Sequence, residues 1–74
     1  LAPDNTVAYV SRGFSCVSVG EHDRAIADCT KAIRLARTYA PAYWTRGRAY
    51  NMKGEYDKAE ADLAKARELG LELE

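Results

Sequence analysis

Apolar and small residues recur along the chain at steps of three and four. Tyr9, Gly13 and Cys16 form one such series; Ala25, Cys29, Ala32 and Ala36 form another. This spacing lines up side chains on one face of an α-helix. Gly20-Glu21 and Gly54-Glu55 interrupt it. Glycine just past the last turn is the usual helix stop, because it enters the left-handed conformation without a Cβ clash. Asp23 and Asp57 follow, and their carboxylates suit the positive end of a helix dipole. Pro41 stands at a helix start, where its missing N–H is not needed. These signals predict four helices, over residues 5–19, 22–37, 40–53 and 56–69, and no strand.

The pattern is also duplicated. Shifted by 34 positions, residues 7–40 lie over residues 41–74. Tyr9 falls on Tyr43, Arg12 on Arg46 and Gly13 on Gly47. Gly20-Glu21 falls on Gly54-Glu55, Ala25 on Ala59, Asp28 on Asp62, and Ala32 on Ala66.

With that period and these residues, each block resembles a tetratricopeptide repeat. The aromatic early in the family's first helix matches Tyr9 and Tyr43, and the small residue at the helix crossing matches Gly13 and Gly47. The second-helix alanines match Ala25 and Ala59, then Ala32 and Ala66. The chain departs from the family at Arg12 and Arg46, where leucine is common. Cys16, Cys29 and Leu63 hold large aromatic positions, and Arg37 and Leu71 replace the usual proline. The resemblance implies an all-α fold: two helix-turn-helix repeats, four antiparallel helices in all, forming a short right-handed solenoid. Residues 1–5 read as the tail of a preceding repeat, because Leu1-Ala2 repeats Leu35-Ala36. Residues 6–39 read as the first repeat, and residues 40–74 as the second and last with a short tail. Ile26 and Ile33 would pack on the next repeat; their counterparts Glu60 and Arg67 are polar, as a terminal repeat requires. Leu73-Glu74 reads as a cloning scar or a natural tail.

Antiparallel helices approach closely only where no side chain separates them. Gly13 is therefore expected against Ala25, and Gly47 against Ala59. That register brings Arg12 level with Asp28 and Arg46 level with Asp62. It offsets Cys16 from Cys29 by about 5 Å along the axis, across a gap of about 8–10 Å. A disulfide needs Cα atoms within about 7 Å, so none is expected.

Composition narrows the function classes. The chain has 74 residues, with 11 Lys plus Arg against 11 Asp plus Glu. Zero net charge disfavours nucleic-acid binding, which calls for a basic excess. No apolar run reaches the roughly 20 residues of a membrane span. Two cysteines and one histidine lack zinc-ligand spacing, and no nucleophile–base set or phosphate loop occurs. No catalysis, cofactor or metal is expected. Unpaired cysteines of buried type favour a reducing compartment such as the cytoplasm.

The resemblance implies a protein–protein interaction scaffold whose first helices line a concave groove for a peptide. Val7, Val10, Phe14 and Val17 form a second stripe, about 100° round from the first. Pro41, Trp44, Arg48 and Asn51 are its counterparts. The expected peptide-binding residues are Val10, Phe14, Val17, Trp44, Arg48 and Asn51. Trp44 and Phe14 would anchor an apolar or aromatic segment beside each other. The residues do not match the family's carboxylate clamp, since Val10, Phe14 and Thr45 occupy its positions. The alternative is self-association through the exposed face of the first repeat, or a module that stabilises a larger protein.

Overall fold

A computed structural model describes residues 5–71. The segment read as the tail of a preceding repeat lies, apart from Asn5, outside the described residues, and so does Leu73-Glu74. The chain is all α-helical: α1 Thr6–Ser18, α2 His22–Leu35, α3 Ala40–Lys53 and α4 Tyr56–Glu68. Helices α1 and α2 pack together, as do α3 and α4; α2 also packs on α3, and α1 touches α3 to a lesser extent.

Local chemistry explains the helix ends. The Asn5 side chain accepts the Ala8 N–H at 3.0 Å, capping α1. Helices α1 and α3 close on Gly20 (φ 86°) and Gly54 (φ 91°). There the Glu21 N–H reaches the Cys16 carbonyl at 2.8 Å and the Glu55 N–H reaches the Tyr50 carbonyl at 2.9 Å. Those bonds satisfy carbonyls left orphaned at the helix end. Helix α2 stops at Leu35, two residues before the predicted end. No glycine is available, so Ala36 leaves the helix in an extended conformation and the Tyr39 N–H closes a turn on its carbonyl at 3.2 Å.

The core is built from small residues. Ala25, Cys29, Ala32, Ala42, Ala49 and Ala66 are fully buried, and the largest fully buried side chains are Thr45 and Cys29. Stability therefore comes from close helix approach and many short dispersion contacts rather than from bulky side chains. A Cβ placed on Gly13 would lie 3.3 Å from the Ala25 carbonyl oxygen. One on Gly47 would lie 3.2 Å from that of Ala59. The expected Gly–Ala contacts are present in both repeats.

Ile26 packs on a cluster of Cys16, Val17, Ala25 and Ala49. Ile33 packs on Val10, Ala32 and Ala42. Seven residues along α2 match seven residues back along α3, the signature of antiparallel packing.

Candidate functional site

Two ion pairs fix the helix hairpins that carry the site. The Arg12 guanidinium donates to Asp28 Oδ2 at 2.9 Å and Oδ1 at 2.7 Å. The Arg46 guanidinium donates to Asp62 Oδ2 at 2.7 Å and Oδ1 at 2.9 Å. Both expected pairs thus form, each as a two-pronged fork. The second does more: Arg46 Nη1 also donates to Thr30 Oγ1 at 3.2 Å, linking the two repeats. The sequence offered no sign of this third partner, because Thr30 falls on Ala64 and the feature is not repeated. Hydrogen bonding to Asp62 raises the Arg46 pKa against the opposing effect of burial, so the guanidinium stays charged.

The expected binding residues divide into two groups. Val10 is 8% exposed and Val17 3%, so neither lines an open surface. Both face α3 and join the clusters that hold Ala42 and Ala49. The helical wheel correctly put Val10, Phe14 and Val17 on one side of α1. It did not show that α3 covers part of that side. Phe14 lies about 40° beyond Val10 by the helical angle, past the covered arc, and is 45% exposed.

Phe14, Trp44 and Arg48 do come together. The Phe14 and Trp44 rings stack with centroids 6.2 Å apart and planes 15° from parallel. The Arg48 guanidinium lies over the indole at 5.1 Å, a cation–π contact. Trp44 is partly exposed; Arg48 and Asn51 are exposed, with Asn51 on the turn after Arg48. Met52, one helical turn beyond Arg48, is 55% exposed and was not expected at the site. Its counterpart is Ser18, so the duplication gave no signal for it.

Other chemistries find little support. Cys16 and Cys29 are buried and unbridged. Burial pushes the Cys29 thiol up to about 12. The thiolate is the reactive form, so iodoacetamide at pH 8 should label Cys29 only when the chain unfolds. Site-resolved mass spectrometry checks this; labelling of folded chain at the rate of denatured chain would contradict it. Among the described residues, no three His, Cys, Asp or Glu side chains gather closely enough to hold a metal ion. No described helix is long and apolar enough to cross a membrane.

A family model described as Tetratricopeptide repeat matches residues 7–39 and again residues 40–69. The chain belongs to the tetratricopeptide-repeat family. Comparison with curated proteins finds no match. Tetratricopeptide repeats are generally protein–protein interaction modules and are typically non-catalytic, so protein partners follow from membership. In this tetratricopeptide pair, α1 and α3 are the first helices of the two repeats. They carry Phe14 and Trp44 respectively.

Proposed function

We propose that the chain binds a peptide segment of a partner protein across α1 and α3. Phe14 and Trp44 act as anchors, Arg48 sets the polarity and Asn51 offers an amide at the edge. The supporting observation is the stacked, incompletely buried Phe14–Trp44 pair. Trp and Arg are the commonest interface hot spots, and an aromatic pair left partly in water gains by being covered. The indole face is the only partner of the Arg48 guanidinium among the described residues, so its charge is available to a ligand.

Selection from a random peptide library should enrich segments with an apolar or aromatic residue. Trp44→Ala should weaken binding of a selected peptide by about 2 kcal/mol, the size of a hot-spot truncation. Calorimetric titration reads the affinity, and a thermal melt establishes that the variant is folded. Undiminished affinity of a folded Trp44→Ala variant, or no enrichment at all, would refute the proposal.

A further inference from the structure

A second surface, which meets the Phe14–Trp44 face only at Asn51, lies on the second repeat between α3 and α4. Asn51, Glu60, Leu63 and Arg67 line an open recess between α3 and α4. Shifted back by 34 positions, they become Val17, Ile26, Cys29 and Ile33. In the first repeat α3 covers that surface: Val17 and Cys29 are buried, and Ile26 and Ile33 pack on core clusters. The recess is thus the slot into which a helix running antiparallel to α4 would fit, as α3 fits against α2.

We propose that a second copy of this chain fills the slot, α4 against α4 across a twofold axis. The argument is charge complementarity. Glu60 and Arg67 are both exposed and lie seven residues apart on one face, about 10 Å at 1.5 Å per residue. That is too far for them to pair with each other. Neither forms a salt bridge among the described residues, where the ion pairs of α4 use Lys58, Asp62, Lys65 and Glu68 instead. An antiparallel copy centred between Leu63 and Ala64 sets Glu60 opposite the partner's Arg67 and Arg67 opposite the partner's Glu60. One operation satisfies both charges. A twofold contact of this kind is self-complementary and closes at two copies.

Head-to-tail stacking does not have this property. If α1 of another copy sat on α4 as α3 sits on α2, the counterparts of Ala42 and Ala49 would be Ala8 and Ser15. These would cover Arg67 and Glu60 without offering a charge to either.

Sedimentation equilibrium of the chain at low salt, up to millimolar concentration, tests the proposal. A reversible monomer–dimer equilibrium is expected. Glu60→Arg and Arg67→Glu should each raise the dissociation constant by about tenfold or more, since each sets like charges opposite one another twice. The double variant should recover the original constant, because the swapped charges again meet their opposites. All the substituted side chains are exposed, and circular dichroism establishes that the variants fold. A monomer at every concentration would overturn the proposal. So would association that continues past the dimer, is indifferent to the single reversals, or is not recovered by the double reversal.

Discussion

Asp62→Ala is expected to destabilise the fold by about 3 kcal/mol, the lower end of what breaking a buried ion pair costs. The Arg46 side chain is 19% accessible and the Asp62 side chain 9%. Without the carboxylate, the guanidinium keeps only the Thr30 hydroxyl and the faces of Tyr43 and Tyr50, each about 5.9 Å from it. None of these neutralises a charge held largely out of water. Asp28→Ala should cost less, although Asp28 is equally buried. Its partner Arg12 is 54% accessible and regains water once the carboxylate is gone. Asp57→Ala should cost least, because Asp57 is exposed and interacts chiefly with the helix dipole. Urea unfolding of the three variants gives the order. Asp28→Ala costing as much as Asp62→Ala would show that burial of the arginine is not what matters.

Gly47→Leu is expected to cost about 3 kcal/mol or more, through overpacking at the α3–α4 crossing. A Cβ there already meets Leu63 Cδ2 at 2.9 Å and Cγ at 3.0 Å, with the Ala59 carbonyl oxygen at 3.2 Å. The remaining leucine atoms would have to push α4 away. Alanine is a gentler probe. At position 47 the obstructing atoms are Cδ2 and Cγ of Leu63, a partly exposed side chain that can move. The helix-propensity gain of about 1 kcal/mol for glycine to alanine offsets much of the strain. At position 13 the obstruction is the Cys29 Sγ at 2.9 Å, on a residue that is fully buried. Gly13→Ala should therefore destabilise more than Gly47→Ala, although the two glycines are repeat equivalents. Paired thermal melts decide it; equal shifts would mean that Cys29 has more room than its burial implies.

The four helices, their hairpin pairing and both Arg–Asp forks were legible in the residues. Each depends on spacing within a short stretch, and the duplication supplies every spacing twice. Gly13 with Ala25 sets the antiparallel register, and Arg12 with Asp28 follows from it. The adjacency of Phe14 and Trp44 was legible on similar grounds: Trp44 is the repeat counterpart of Val10, and Phe14 lies one helical turn on from Val10. The width of the covered arc on α1 was not. Helical periodicity shows which side chains share a face, but the number of neighbours decides how much of that face is buried. Helix α1 touches α2 and α3, so Val10 and Val17 are enclosed while Phe14, slightly further round, stays at the surface. The Thr30 contact of Arg46 arises in the same way: it depends on where one repeat rests on the next, and no local spacing encodes it. The obstructions behind Gly13 and Gly47 share one spacing and differ only because Cys29 fills the gap in one repeat and Leu63 in the other.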